Sequence, residues 1–313
     1  MTAVQSSAGP PLGKYLASTE KKTRDKAIKS LSVFLSEGQN LISKPEMDKL
    51  WKGIFYCFWM SDKPLVQQAL ASELAELVLT ITSTPTSLAF LRGFWETTVR
   101  EWNGIDRLRI DKYYMLIRRF VNATFRLLIR AKWNKDTCLE YNQILTNEGG
   151  PLCASDIRVP ASLSYHIADI YIEELDKALG VTPSPPSAPL AILFEPFIVL
   201  AARTPTSVTY KRIQSALFEP LLGALSPESS GDDGPPKSKR IRLCADADSY
   251  SHVVSNACYS NSESEGPVDG TELRKRLLRR IFEVASEPET RDSSRRKMYA
   301  LWKESYEEGP NEE

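Results

Sequence analysis

The chain holds only two histidines, His166 and His252, so any acid–base or metal chemistry built on imidazole must pass through them. Neither stands at a ligand spacing from a second donor. His166 lies within LSYHIADIYIEEL, where a packing or hydrogen-bonding role is expected, and His252 lies in a polar stretch. Five cysteines (Cys57, Cys138, Cys153, Cys244 and Cys258) are odd in number and form no C-x-x-C pair, which fits neither a disulfide framework nor a zinc knuckle. Glu173 with Glu174, and Asp106 with Asp111, could serve as acid and base, but on helices rich in Arg and Lys such carboxylates are usually solvated or ion-paired. Neither a G-x-x-x-x-G-K-[ST] loop nor a G-x-G-x-x-G turn is present to cradle phosphates. The expectation is a protein that is not an enzyme and uses no cofactor or metal.

Cationic side chains carry more information. Residues 100–135 contain ten basic against three acidic groups. On a helix turning about 100° per residue, Lys112, Arg119 and Arg126 fall on one line, opposite Ile110, Tyr114, Ile117, Val121 and Leu128. Arg107, Arg109, Arg118 and Arg130 add to the same segment, and an early helix carries Lys21, Lys22, Arg24 and Lys26. These are the candidate contacts for RNA or for an acidic partner surface; the alternative is a solvated face whose arginines pair with acidic neighbours. No base-reading motif accompanies them, so RNA contact would be to backbone and shape. Crowded aromatics, Trp51, Phe55, Tyr56, Phe58 and Trp59 and then Phe94, Trp95 and Trp102, are read as core and interface. Lys237, Lys239, Arg240 and Arg242 form a compact basic cluster of the kind an import receptor grips.

The elements that must position these groups are helical, because apolar residues recur at steps of three and four almost everywhere and no series of alternating strands is evident. Helices are expected over about 19–37, 45–60, 64–81, 86–102, 106–131, 134–147, 160–179, 187–202 and 206–224. Short breaks between them suggest an α-solenoid-like stack of antiparallel hairpins of the HEAT or armadillo kind. The motif LFEP occurs at 193–196 and again at 217–220, each proline expected to kink or end its helix. Residues 1–11 read as a flexible N-terminus, 12–225 as the helical body and 226–271 as a low-complexity insertion or linker. A pair of basic helices over 272–305 and an acidic tail over 306–313 follow.

Forty basic and forty acidic side chains cancel over 313 residues, so partners must be argued from local charge, and 42% hydrophobic content suffices for a real core. No run is long and apolar enough for a membrane span and no secretory leader is evident, so a soluble, intracellular protein is expected.

Four strings then point to a family: EKKTRDKAIKSL at 20–31, LWKGIFYCFWMSDKPLVQ at 50–67, REWNGIDRLRIDKYYMLIRRF at 100–120 and DIYIEELDKAL at 169–179. Over about 12–222 the chain resembles the ribosomal RNA-processing protein 1 family, the nucleolar Nop proteins of large-subunit assembly. The resemblance implies a nucleolar, non-enzymatic factor for maturation of precursor rRNA, working beside other assembly factors in early pre-ribosomal particles, with no catalytic residues to carry over. The 226–271 insertion and the short acidic tail follow no pattern of that family. A nuclear protein–protein adaptor without RNA contact is the alternative, and membrane or small-molecule partners are not expected.

Overall fold

A computed structural model describes residues 12–37, 42–226 and 250–307. The termini and the basic cluster Lys237, Lys239, Arg240 and Arg242, together with Cys244, lie outside the described residues. The chain divides into two compact units, with the division after Leu127. Both are built of helices, and the all-α class expected from the periodicity is the class observed.

In the first unit the elements are α1 (Leu12–Leu16), α2 (Lys21–Ser36), α3 (Lys44–Trp59), α4 (Pro64–Thr80), α5 (Thr84–Glu101), a 3₁₀ turn (Trp102–Gly104) and the start of α6 (Ile110–Arg130). Helices α3, α4 and α5 each carry a proline in their first turn, where its missing N–H costs nothing. Ser43 and Glu46 close a capping box at the start of α3, the Ser43 N–H donating to Glu46 Oε2 at 3.2 Å. Neighbours in sequence then stack in the solenoid-like manner, α1 on α2 and α3, α3 on α4 and α5. The pairings Lys44 with Glu96 and Trp51 with Phe90 make α3 and α5 antiparallel. Trp51 is buried between Phe90 (4.5 Å) and Phe94 (5.5 Å), donates its indole N–H to Phe90 O at 2.9 Å, and fills the space left by Gly93, where a Cβ would lie 2.3 Å from the indole. Phe94 stacks flat on Phe120 at 3.8 Å.

The second unit contains α7 (Lys135–Thr146), α8 (Ala161–Val181), β1 (Ala188–Pro189), α9 (Leu190–Arg203), α10 (Ser207–Ile213), a π-helical turn (Gln214–Phe218) and α11 (Glu219–Ala224). It continues with α12 (Ser251–Ser255), β2 (Ala257–Cys258), α13 (Ser262–Glu265), α14 (Gly270–Ser286) and α15 (Asp292–Glu307). Residues 250–271 correct the expected linker. Val253, Ala257 and Cys258 are fully buried, β2 pairs in parallel with β1, and Asn256 Nδ2 donates to Pro185 O at 2.8 Å. A few apolar anchors and backbone hydrogen bonds order a segment whose composition is that of a loop.

Pro196 also departs from expectation, since α9 runs through it to Arg203. The proline leaves the carbonyl four residues back without its usual donor. That carbonyl, Ile192 O, accepts instead from Asn142 Nδ2 of α7 at 2.7 Å. Removing the amide should therefore orphan a carbonyl. Asn142→Leu is expected to cost about 1–3 kcal/mol in urea unfolding. Because Pro196→Ala restores an N–H to Ile192 O, it should stabilise more in the Asn142→Leu background than in the parent; a double-mutant cycle with no coupling would contradict this account.

Candidate functional site

The basic residues singled out from sequence do two different jobs. On α2, Arg24 is buried, its Nη1 donating to Ser18 O (3.0 Å) and Thr19 O (2.9 Å), so it fixes the turn between α1 and α2 rather than facing a partner. Lys21 pairs with Asp25 one turn on. Lys22 and Lys26 are exposed, share one helix face, and have no ion pair among the described residues.

The larger correction is Lys112. Placed by spacing on an outward line with Arg119 and Arg126, it is 5% exposed, and its Nζ donates to Trp59 O at 2.7 Å and Ser61 O at 2.9 Å. Those carbonyls lie at and just beyond the C-terminus of α3, where backbone acceptors lack helical donors. Asp62 stands 3.7 Å away and the Phe58 ring 5.5 Å away; burial depresses the ammonium below the usual lysine value, with Asp62 opposing. The buried stripe of α6 includes Lys112, Tyr113, Leu116, Phe120 and Leu127 as well as Ile117, Val121 and Leu128, while Ile110 and Tyr114 are half-buried. The outward arc is narrower than the wheel suggested and is displaced by about one position.

The turn before α6 is rigidly held. Asp106 Oδ1 accepts from the backbone N–H groups of Leu108 (3.0 Å) and Arg109 (3.1 Å), and Asp106 Oδ2 meets the Arg109 guanidinium at 2.5 Å. That guanidinium holds the Asp106 carboxyl below its ordinary value, lies over the Trp59 ring at 5.0 Å and reaches Asp62 at 3.8 Å. Tyr113 donates its hydroxyl to Phe55 O at 3.2 Å. Arg109, Lys112 and Tyr113 thus join the strings at 50–67 and 100–120 to one another. Nothing in the spacing of the sequence signalled this joint.

Arg126 forms a two-pronged pair with Glu76 of α4. Arg118 is half-buried and Arg130 exposed, both with further contacts, whereas Arg107 and Arg119 are exposed and have no ion pair among the described residues. Of the candidate cations in the first unit, Lys22, Lys26, Arg107 and Arg119 therefore remain for a partner.

The paired glutamates and the described cysteines considered for catalysis are ion-paired or buried. Lys177 bridges Glu173 (2.6 Å) and Glu174 (3.1 Å). Cys57, Cys138, Cys153 and Cys258 are free and buried, and burial raises the thiol of Cys57 to about 11 and those of Cys138 and Cys258 to about 12. His166 is half-buried in α8, and His252 is exposed beside Gly180. Among the described residues no three His, Cys, Asp or Glu side chains gather as a metal-binding group, and no helix is long and apolar enough to cross a membrane. The Lys112 geometry makes a specific prediction: Lys112→Met should lower stability by about 1–3 kcal/mol by leaving helix-end carbonyls unpaired, and Lys112→Glu should cost more. Chemical denaturation reads both, and two variants as stable as the parent would return Lys112 to the surface.

A family model described as "Nucleolar protein, Nop52" matches residues 7–302. The human ribosomal RNA processing protein 1 homolog B is 37% identical over 212 residues, covering 66% of this chain and 27% of its own length. The human homolog A is 30% identical over 321 residues, covering 93% of this chain and 68% of its own, and a Drosophila melanogaster homolog is 35% identical over 155 residues, covering 49% of this chain and 22% of its own. The chain thus spans between about a fifth and two thirds of these relatives. With the family match embracing both units and both strings that meet at Lys112, the chain belongs to the Nop52 family of nucleolar proteins.

Proposed function

We propose that this chain is a non-catalytic assembly factor of ribosome biogenesis. It acts in the nucleolus, in early precursors of the large subunit, where pre-rRNA processing depends on it. The observation that carries this reading is the family match over residues 7–302, to which the relatives' names add ribosomal RNA processing. The geometry supports an architectural contribution. Stacked helices offer rigid surface, and their unneutralised cations, Lys22, Lys26, Arg107 and Arg119, suit phosphate backbone better than a base-reading contact. Other assembly factors are the remaining partners, and the basic cluster at 237–242 serves nuclear import.

A nuclear adaptor without RNA contact is the second reading, favoured by the fact that Arg109, Lys112 and Arg126 all bond within the protein. Crosslinking to RNA in cells separates the two.

The test follows the corrected surface. A chain carrying Lys22→Glu, Lys26→Glu, Arg107→Glu and Arg119→Glu is expected to melt like the parent but to leave sedimenting large-subunit precursors at physiological salt. Binding to pre-rRNA should lose about one unit of salt slope for each phosphate contact removed. Particle association undiminished by all four reversals would defeat the surface assignment.

A further inference from the structure

The C-terminal hairpin sorts its cations as the first unit does, but leaves aromatic rings beside the outward ones. On α14 the inward arginines are consumed. Arg280 makes a bidentate pair with Glu195 of α9, Nε at 3.0 Å and Nη2 at 2.5 Å, and Arg276 lies over the Tyr259 ring at 4.1 Å and 3.6 Å from Glu265. Leu273, Leu277, Leu278, Ile281 and Val284 fill the core. The remaining stripe, Lys275, Arg279 and Phe282, at steps of four and three, faces outward.

Helix α15 runs antiparallel to α14 and completes the surface. Phe282 lies 5.1 Å from Tyr299 and 4.9 Å from Trp302 by ring centroids, and the Tyr299 hydroxyl and Ser286 Oγ share a hydrogen bond of 3.1 Å that orients the tyrosine. Phe282 is 37% exposed, and Tyr299 and Trp302 are half-buried. Arg296 stands one turn before Tyr299. Lys275 and Arg296 are exposed and have no ion pair among the described residues, and Arg279 is 80% exposed, paired only with Glu283 of its own helix at 3.2 Å. Three clustered rings, one exposed and two half-buried, flanked on both helices by cations, combine the two elements that single-stranded nucleic acid requires: aromatic surface for base stacking and positive charge for the backbone.

We propose that the outer face of the α14–α15 hairpin binds unpaired RNA, a base stacking on Phe282 and Trp302 while Lys275, Arg279 and Arg296 take the flanking phosphates. This rests on the reading that the chain works on pre-rRNA, and it narrows the contact to single-stranded segments. Duplex RNA buries its base faces and cannot use the rings. An apolar protein surface would use the rings but has no need of the cations around them, which is why RNA is favoured.

The experiment uses the full chain with two fluorescent probes of equal length, a single-stranded oligouridine and a blunt RNA duplex, followed by anisotropy. Phe282→Ala with Trp302→Ala should weaken single-strand binding by roughly tenfold or more and leave duplex binding unchanged. Trp302→Phe, which keeps a ring, should stay within about threefold of the parent. Lys275→Glu with Arg296→Glu should flatten the salt dependence by about two units. Should the double alanine variant lose its melting transition, Phe282→Leu keeps the packing, removes the stacking face, and is expected to lose single-strand affinity at unchanged melting temperature. Unchanged single-strand affinity in folded ring variants, or equal effects on both probes, overturns the proposal. So does capture of an acidic protein, through these same residues, by a chain that binds neither RNA. Folded ring variants that keep oligouridine affinity, while the parent chain sediments with precursor particles, would overturn this site and leave the assembly-factor reading standing; a parent chain absent from those particles would defeat that reading instead.

Discussion

An ammonium group taken out of water must be given acceptors, and a helix end left dry must be given donors. Lys112 meets both demands at once, its Nζ held between Trp59 O and Ser61 O at the end of α3 with Asp62 at the rim. Around that contact, Arg109 lies over Trp59 and Tyr113 reaches Phe55 O, so three residues within about one turn bond the start of α6 to the end of α3. The turn at 105–109 is held by Asp106, which accepts from the N–H groups of Leu108 and Arg109 and pairs with the Arg109 guanidinium.

The same economy runs through both units. Cations near the helix contacts, Arg24, Arg109, Arg126 and Arg280, are spent on carbonyls and carboxylates of the protein itself. Those one helical step away keep their charge for solvent or a partner. A neutral chain can in this way carry local positive faces. Segment 250–268 shows a related effect in the second unit, where Asn256 and the short strand at Ala257 hold a polar, loop-like stretch against the body.

Much was legible before any coordinates. Steps of three and four placed α3 to α9 within a few residues, and the strings at 50–67 and 100–120 identified the family. Aromatics read as core are core in Trp51, Phe58, Phe94 and Trp95. The candidate surface was less legible. A helical wheel treats lysine as outward by chemistry, yet a four-carbon stem can run inward to carbonyls that no one-dimensional pattern displays. Phe282 and Tyr299 stand 17 positions apart in the chain, so no local pattern joins them, and only the hairpin brings Phe282, Tyr299 and Trp302 together.

The sequence by itself determined the helical class, the approximate bounds of the helices and the family, because local periodicity and long matched strings depend on neighbours along the chain. The tertiary structure decided which cations are free, why α9 continues through Pro196, and that residues 250–271 pack rather than wander. Each of these turns on a hydrogen-bond partner or an apolar contact between residues far apart in the chain. Burial changes the cost of an unpaired charge or carbonyl only once the fold has closed around it.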